Sequence, residues 1–349
     1  MVTYYIYRQV KIMLYTIIFH THITSFGFNI SRPLLYHNST TILTLTPYHL
    51  YVIVYKTFAE TLSFILKGSL FMKKKVVLIT GASSGIGKET ALKLIDLGYT
   101  VYGAARRQNE LKSLEKRGGH AVYLDITNDE SIQECVNTVL TKEGKIDILI
   151  NNAGYGFYSP IETTPIEEAR KQFEVNYFGL ARITQLVLPS MRKRKSGRII
   201  NIASMGAKFT IPFGAWYHGT KYAVESFSDS LRMEMKPYNI KVVVIEPGMI
   251  QTNWGNIAAT HLKNATTGTP YAKNGAIEAN YFESYYKGNS LTSPDTLSKS
   301  VVKAATAKNP KTRYLTGKYA KIFPALRFLL CDHVFDFFVY KVMGLKSKL

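Results

Sequence analysis

A glycine-rich turn between an apolar run and a helical stretch most constrains what this chain can fold into. The apolar run 76–80 leads into Thr80-Gly81-Ala82-Ser83-Ser84-Gly85-Ile86-Gly87, and an amphipathic segment, 88–97, follows. Glycines here permit a tight turn, let the backbone approach a pyrophosphate, and allow the helix to pack closely on a sheet. The helix N-terminus adds free N–H groups and the positive end of a dipole. The turn therefore predicts a dinucleotide-binding site that uses Gly81, Ser83, Ser84, Gly85, Ile86 and Gly87.

Beyond this turn, short apolar runs alternate with longer amphipathic segments. The expected helices include 88–97, 166–191 and 217–236, and the expected strands are 76–80, 100–104, 121–124, 146–151, 197–202, 240–246 and 313–316. Apolar strands separated by helices favour parallel pairing with helices on both faces. We therefore predict an α/β fold, with a Rossmann-type doubly wound parallel sheet of about seven strands. It forms a single domain, 72–349, with a C-terminal helical tail.

Residues 1–71 differ in character from the rest. They contain one acidic residue, Glu60, and their apolar side chains follow no sustained strand or helix period. The uncharged stretches 12–31 and 33–55 are long enough to cross a bilayer, but polar side chains interrupt them repeatedly. Met72 is followed by three lysines and an apolar run, as at the start of a compact nucleotide-binding domain. We expect 1–71 to be an upstream extension and Met72 the physiological start; a weak membrane anchor is the alternative.

The formal net charge is +20, but the basic residues are spread along the chain. No helix-turn-helix, zinc-finger or RNA-binding signature accompanies them, so the charge favours a solvated surface over a nucleic-acid partner. The two cysteines, Cys135 and Cys331, cannot build a disulfide framework, which fits a reducing compartment and a cytoplasmic location. No His, Cys and carboxylate cluster is visible, and we expect no metal.

The second expected strand ends in Ala104-Ala105-Arg106-Arg107. An acidic residue at this place would hydrogen-bond the adenosine ribose of NAD and repel a 2′-phosphate. A guanidinium reverses that preference, because it pairs well with phosphate oxygens. We therefore expect NADP(H) as the preferred cofactor with Arg106 as the main contact, and NAD(H) as the alternative.

Three motifs stand in the order found in the short-chain dehydrogenase/reductase family, which this chain resembles in its compact branch. They are TGxxxGxG, Asn151-Asn152-Ala153-Gly154 and Tyr217-His218-Gly219-Thr220-Lys221, and the resemblance covers residues 73–255. It implies that Asn176 helps to hold a water-linked proton path to the lysine. It also implies that further cofactor contacts come from Asp125, Ile126, Asn152, Ala153, Gly154, Tyr217, Lys221, Pro247, Gly248, Ile250 and Thr252.

The same resemblance makes Tyr217 the catalytic acid/base, with Lys221 and Ser204 assisting it. Tyr217 and Lys221 are four residues apart, so they lie on one face of the expected helix. A nearby ammonium favours the phenolate, so we expect Lys221 to lower the pKa of the phenol. Ser204 comes just past a strand end, where a hydroxyl can stabilise a substrate oxygen as charge develops. A serine that only closes a turn is the structural alternative.

Together these features predict an oxidoreductase that transfers hydride between NADP(H) and a small-molecule carbonyl or alcohol. We expect an apolar ketone, aldehyde or secondary alcohol, chosen by an aromatic-rich lid at 249–291. For the apolar tail, 322–345, three roles stay open: packing over the cleft, contact within a homo-oligomer, and rest on a membrane surface. The alternative functions are a non-catalytic NADP(H)-binding regulator and a membrane-anchored dehydrogenase with the same chemistry.

Overall fold

The computed structural model describes residues 34–38, 41–45, 55–57, 59–60, 74–252, 254–287 and 291–346. The chain divides into two units, 1–73 and 74–349. In the first unit, strands β1 (Leu34–Asn38) and β2 (Thr41–Leu45) form an antiparallel hairpin. The expectation that 1–71 is an upstream extension or a weak anchor otherwise falls outside the described residues.

A seven-stranded parallel sheet forms the centre of the second unit. Its strands are β3 (Val76–Thr80), β4 (Thr100–Ala105), β5 (His120–Tyr123), β6 (Ile148–Asn151), β7 (Gly197–Ile202), β8 (Ile240–Pro247) and β9 (Arg313–Thr316). Their order across the sheet is β5-β4-β3-β6-β7-β8-β9, and all neighbouring pairs are parallel. The strand order reverses between β3 and β6, which places a topological switch point at the carboxyl end of β3. The predicted Rossmann-type doubly wound sheet is confirmed.

Helices cover both faces of this sheet. They are α1 (Gly85–Asp96), α2 (Lys112–Glu115), α3 (Asp129–Glu143), α4 (Ile166–Phe173), α5 (Gly179–Lys193), α6 (Ala215–Met235), α7 (Trp254–Thr266), α8 (Ala272–Lys287), α9 (Pro294–Thr306), α10 (Ile322–Leu329) and α11 (Asp332–Met343). Alternate strand residues point to opposite faces. Accordingly, Val76 and Leu78 pack with α3 and α5, whereas Val77 and Ile79 pack with α1 and α9.

The expected single helix 166–191 is interrupted. Helix α4 ends at Phe173, and a π-helical turn, Glu174–Phe178, leads into α5. A π-turn adds one residue to the helical register and is frequent at functional sites. Here the turn holds Asn176 in a buried position. The prediction of one continuous helix is wrong because apolar periodicity does not reveal a single added residue.

Two helix pairs add smaller apolar clusters to the main core. Helices α7 and α8, which occupy most of the expected lid 249–291, pack through small and apolar side chains such as Ala258, Leu262 and Ala279. Helices α10 and α11 form the tail, and Phe335 and Val339 of α11 pack around Phe209. The predicted C-terminal helical tail is thus confirmed.

Candidate active site

A cleft opens where the carboxyl ends of the central strands meet. Parallel strands bring these ends to one edge of the sheet, which is where open α/β sheets bind ligands. The residues that follow β6, β7 and β8 line the cleft together with the start of α1. Of the residues that the sequence singles out, the cleft brings together Ile86, Asn152, Gly154, Ser204, Tyr217, Lys221, Pro247, Gly248, Ile250 and Thr252.

The turn before α1 has a shape that requires glycine. Gly81 and Gly85 adopt φ angles of 67° and 54°, a region that is costly for residues with a Cβ. A Cβ on Gly87 would lie 2.5 Å from both Asn152 Nδ2 and the Gly81 carbonyl oxygen. Backbone rather than side chains therefore forms this part of the cradle, as the close approach of a pyrophosphate requires.

Thr80 fastens the glycine turn to the end of β6. Its Oγ1 accepts hydrogen bonds from the N–H groups of Asn152 and Ala153, each at 3.0 Å. The Asn152 amide donates in return to the carbonyl oxygens of Thr80 and Gly81 at 3.0 and 3.1 Å. The motif residues Asn152 and Ala153 therefore hold the turn in a fixed shape, which reduces the ordering that ligand binding needs.

The N-terminus of α1 is suited to an anion. The Ser84 side chain does not cap the helix, and no acidic residue stands in its first turn, so the positive end of the dipole is not neutralised locally. Arg107 Nη2 donates to the hydroxyls of Ser83 and Ser84, each at 3.3 Å. A guanidinium, two hydroxyls and a free helix end fit the phosphates of a dinucleotide. The contact of Arg107 with the turn comes from the pairing of β4 with β3, which no local motif reveals.

Arg106 and Asp125 lie at the ends of the neighbouring strands β4 and β5. The pKa of Asp125 is held below its usual value, chiefly by a hydrogen bond from the Thr127 N–H at 3.0 Å and to a smaller extent by the charge of Arg106. Asp125 therefore closes a turn as well as facing a cation. Ile126 is buried in the core, packed against Gly179, so its side-chain contacts are structural.

Helix α6 presents Tyr217 and Lys221 on its buried face, which continues through Val224, Ser228 and Leu231. Tyr217 is only 9% exposed. Burial raises the pKa of Tyr217 to about 12, and a hydrogen bond with the Ser204 hydroxyl opposes that rise. The phenol of the protein without ligand therefore keeps its proton at neutral pH.

Ser204 follows β7 closely and serves two structural roles at once. It caps the short 3₁₀ turn Met205–Ala207, because the Gly206 N–H donates to its Oγ at 3.0 Å. The same residue also lines the cleft together with Tyr217. The turn-closing and the candidate catalytic interpretation of this serine are therefore compatible.

Lys221 is buried beside Tyr217, and its Nζ donates to the Ile202 carbonyl oxygen at 2.9 Å. This Nζ lies 5.9 Å from the centre of the Tyr217 ring. Burial lowers the pKa of Lys221 to about 8. The expectation that Lys221 lowers the pKa of the phenol stays a prediction.

Asn176 lies behind Gly154, next to Lys221. Its amide donates to the Tyr155 carbonyl oxygen at 2.9 Å and to Thr220 Oγ1 at 3.1 Å, while its Oδ1 accepts from the Tyr155 N–H at 3.0 Å. A Cβ on Gly154 would lie 3.1 Å from this Oδ1 and 3.7 Å from the lysine Nζ. The asparagine thus fixes the loop after β6 against α6 and stands close to the lysine amine.

The segment after β8 closes the cleft from another side. The Gly248 N–H donates to the Thr316 carbonyl oxygen at 2.8 Å, and the Thr252 N–H donates to that of Ile250 at 2.9 Å. Thr252 Cγ2 would lie 3.7 Å from a Cβ placed on Gly85. The chain therefore returns to the glycine turn. The predicted cofactor contacts before α1 and after β8 thus lie next to each other.

Aromatic side chains that the sequence does not single out surround Tyr217. The rings of Tyr158 and Trp254 are centred 5.7 and 5.2 Å from its own ring. His218 is buried between the Gly206 carbonyl oxygen, 2.7 Å from Nδ1, and the Tyr158 hydroxyl, 3.4 Å from Nε2. Burial lowers the pKa of His218 to about 4, so it is neutral at physiological pH. For Trp254, sequence position was the one available signal of a role in the cleft, because this residue lies two positions after Thr252, within the expected lid.

The expected lid and tail both contribute to the wall of the cleft. From α8 come Tyr281, Phe282 and Tyr286, and from the tail come Phe323, Val339, Val342 and Met343. Tyr285 has a different environment, against Tyr281 and Tyr319. The wall near the candidate acid/base is therefore largely apolar and aromatic.

Two absences among the described residues bear on other classes of site. In that part of the chain, no group of three His, Cys, Asp or Glu side chains is placed to hold a metal ion. Among the helices that the structure describes, none is both long and apolar enough to cross a membrane.

Comparison with known proteins gives consistent matches over the second unit. Residues 75–261 match the family model described as short chain dehydrogenase. A protein of Helicobacter pylori named probable short-chain type dehydrogenase/reductase VdlC is 34% identical over 275 residues, which are 78% of this chain and 99% of that protein. A solved short-chain dehydrogenase from Streptomyces avermitilis superposes with a TM-score of 0.65 at 30% identity, covering 78% of this chain and 98% of that one.

Two further relatives carry names that state an activity. The 3-ketodihydrosphingosine reductase of Bacteroides thetaiotaomicron is 39% identical over 183 residues, which are 52% of this chain and 66% of that protein. The NADPH-dependent 3-dehydrocapnine reductase of Ornithobacterium rhinotracheale is 33% identical over 282 residues, which are 76% of this chain and 96% of that protein.

Proposed function

The chain belongs to the short-chain dehydrogenase/reductase family, and from that premise we propose that it is an NADP(H)-dependent reductase of apolar ketones or aldehydes. The observation that carries the proposal is that Ser204, Tyr217 and Lys221 line one cleft, with the Lys221 Nζ 5.9 Å from the centre of the Tyr217 ring. A phenol, a hydroxyl and an amine at the carboxyl edge of a nucleotide-binding sheet suit the transfer of a proton to or from a substrate oxygen.

In the proposed reaction, the residues of this chain bind the carbonyl oxygen and supply its proton. Ser204 donates a hydrogen bond to that oxygen and stabilises the negative charge that develops on it. NADPH, when bound, supplies the hydride that reaches the carbonyl carbon. Tyr217 gives its phenolic proton to the oxygen, which completes the alcohol. Lys221 stabilises the resulting phenolate, and Asn176 fixes the loop after β6 to Thr220, the residue before Lys221.

Tyr217 is protonated at neutral pH, since burial holds the pKa of its phenol at about 12. The proposed reduction uses this form, because the phenol gives its proton to the carbonyl oxygen.

The preference for NADP(H) is supported by two arginines at the end of β4. Arg107 hydrogen-bonds the hydroxyls of the glycine turn, and Arg106 stands at the place where an acidic residue would repel a 2′-phosphate. A relative at 33% identity is named as NADPH-dependent. We assign both arginines to the 2′-phosphate of the cofactor.

The proposed substrate is a ketone with a long apolar group. Trp254, Phe282 and Tyr286 offer an aromatic wall, and Phe323 and Val339 extend it with side chains from the tail. Such a wall favours an apolar chain through the burial of its surface. Two relatives are named as reductases of 3-keto or 3-dehydro compounds, which supports a ketone as the reacting group.

The test is NADPH oxidation by the full chain over a series of ketones of increasing chain length. We expect kcat/KM to rise with chain length, and Tyr217→Phe to lower kcat by about 10²–10⁴-fold while NADPH binding persists. The matched control is Tyr222→Phe, the same change at an exposed position of the same helix, which should leave kcat unchanged.

Turnover that survives Tyr217→Phe would overturn the role of the tyrosine. Tight NADPH binding without turnover of any carbonyl would instead support the alternative of a non-catalytic NADP(H)-binding regulator.

A further inference from the structure

The outer face of the tail exposes large apolar side chains. Phe328, Leu329 and Phe337 are 89%, 73% and 68% exposed, and Val334 is about half exposed. We call these four residues the tail patch. None of the eight residues of α10 is buried, so this helix presents apolar groups to solvent. Contiguous exposed apolar surface on a folded domain marks an interaction site.

The charges around the tail patch select an anionic partner. From Gly317 to the last residue the sequence has six lysines and arginines and two aspartates. One of the two, Asp332, is already paired with Arg327 at 2.5 Å. Lys341 lies beside the patch, with its Nζ 6.0 Å from the centre of the Phe337 ring. An apolar face with a lysine at its border, in a segment of net positive charge, is the pattern of a helix that lies on an anionic bilayer.

The other face of the same helices belongs to the substrate cleft. Phe323 of α10 and Val339 and Met343 of α11 line it. Val342 lines the cleft and is also 38% exposed. The helices that carry the tail patch therefore also form part of the wall of the proposed site for an apolar substrate.

From these observations we propose that the tail patch docks this protein on an anionic membrane surface. Phe328, Leu329 and Phe337 enter the interfacial region, and the lysines meet the lipid headgroups. An apolar ketone dissolved in the bilayer then reaches the cleft past Val342 without crossing water. The docking itself is independent of the proposed reaction; only the delivery of substrate rests on the proposed function.

The test uses the full chain in flotation with vesicles of phosphatidylcholine alone or with about 30% phosphatidylserine, a content chosen to give a clear surface charge. We expect at least tenfold more binding to the anionic vesicles, and a decrease with salt. Phe328→Ser with Phe337→Ser should lower binding at least tenfold. Phe178→Ser is the matched control, because Phe178 is also exposed but lies at the start of α5. The control also accounts for any binding by residues 1–73, which are the same in every variant.

A second pair of variants tests the charges. Lys321→Gln with Lys341→Gln should lower binding to anionic vesicles several-fold, whereas Lys112→Gln with Lys116→Gln, far from the tail in sequence, should not. Turnover of a water-soluble ketone should be equal in the wild type and all of these variants, whereas turnover of a ketone embedded in anionic vesicles should fall at least fivefold in Phe328→Ser with Phe337→Ser. The soluble assay thus reports on the proposed function, and flotation on the docking.

Equal flotation of wild type and tail variants would overturn the proposal. So would conversion of a dimer to a monomer by Phe328→Ser with Phe337→Ser without any vesicle binding, since a second copy of the chain would then cover the patch.

Discussion

The Lys221 amine lies 5.9 Å from the centre of the Tyr217 ring and donates to the Ile202 carbonyl oxygen at 2.9 Å. Burial raises the pKa of the phenol to about 12 and lowers that of the amine to about 8. Both groups are thus disfavoured in their charged forms. A buried lysine held in this way destabilises the fold, which fits the proposed role of Lys221 in the site.

Lys221→Met should therefore abolish activity and stabilise the protein at pH 7. A folded pKa of about 8 against an ordinary 10.5 corresponds to about 3 kcal/mol, which is an upper estimate for the gain. At pH 7 the lysine is protonated in both states, and the folded state carries the burial penalty. Between pH 8 and 10.5 the unfolded chain binds more protons, so this penalty fades as pH rises.

Thermal melts at pH 7, 9 and 10.5 would measure this effect, with exposed Lys193→Met as the control. We expect a higher Tm for Lys221→Met at pH 7 and a gap that narrows toward pH 10.5. A variant that melts below the wild type at pH 7 would show that the lysine stabilises the folded protein.

Ser204→Ala should separate catalysis from binding. The hydroxyl is placed to stabilise a developing oxyanion, so its loss should lower kcat by about 10²–10³-fold and leave the Kd for NADPH unchanged. The variant also loses the hydroxyl that accepts a hydrogen bond from the Gly206 N–H and caps the turn. This loss should lower the free energy of unfolding by about 1 kcal/mol.

The matched control is Ser293→Ala. The Ser293 side chain caps α9 by accepting a hydrogen bond from the Thr296 N–H, so this change should lower stability without lowering kcat. Steady-state kinetics and NADPH titration by fluorescence measure the two quantities. Equal loss of kcat in both variants would mean that Ser204 acts only through the fold.

The central strands of the sheet could be predicted from the sequence because they are buried apolar runs bounded by polar or turn residues. All five residues of β3, for example, are buried. The shared helix face of Tyr217 and Lys221 could be predicted from their four-residue spacing, and both lie on the buried face of α6. Their chemical roles follow from the family resemblance and stay predictions.

Contacts between segments far apart in the chain could not be predicted in this way. Tyr158 packs against Tyr217 across 59 positions of sequence, and Val339 of the tail reaches the cleft from the far end of the chain. The π-turn at Asn176 adds a single residue, which leaves the apolar pattern almost unchanged. These features depend on how elements meet, and no periodicity within one element carries that information.

Arg106 and Arg107 should together set the cofactor preference. Arg107 already contacts the hydroxyls of Ser83 and Ser84, and Arg106 stands at the end of the same strand. Arg106→Leu with Arg107→Leu should lower kcat/KM for NADPH by about 10–100-fold, as expected for the loss of one or two charge-assisted contacts, and leave that for NADH within about twofold.

Arg117→Leu is the control, since Arg117 is an exposed arginine paired with Asp96. Rates measured with each cofactor at one ketone concentration give the ratio of kcat/KM for NADPH to that for NADH directly. An equal decrease with NADPH and NADH would assign the arginines to the shared part of the cofactor rather than to the 2′-phosphate.

Glu278 of α8 should destabilise the fold at neutral pH. Its side chain is 0% exposed, and neither carboxyl oxygen has a hydrogen-bond partner within the described structure. Burial raises its pKa well above the ordinary value of 4.5. Because the folded pKa is raised, the stability that the neutral carboxyl contributes is fully present below pH 4.5 and is lost as pH rises toward the folded pKa.

Glu278→Gln should therefore raise Tm at pH 7 by about 2 °C or more and have little effect near pH 4, where the wild-type carboxyl is neutral in both states. Glu234→Gln, at an exposed position of α6, serves as the control and should leave Tm unchanged at both pH values. Thermal melts of both variants at pH 7 and pH 4 test the prediction. If Glu278→Gln lowers Tm at pH 7, the carboxylate is paired in solution, and a buried partner such as an ordered water molecule would have to hold it in place.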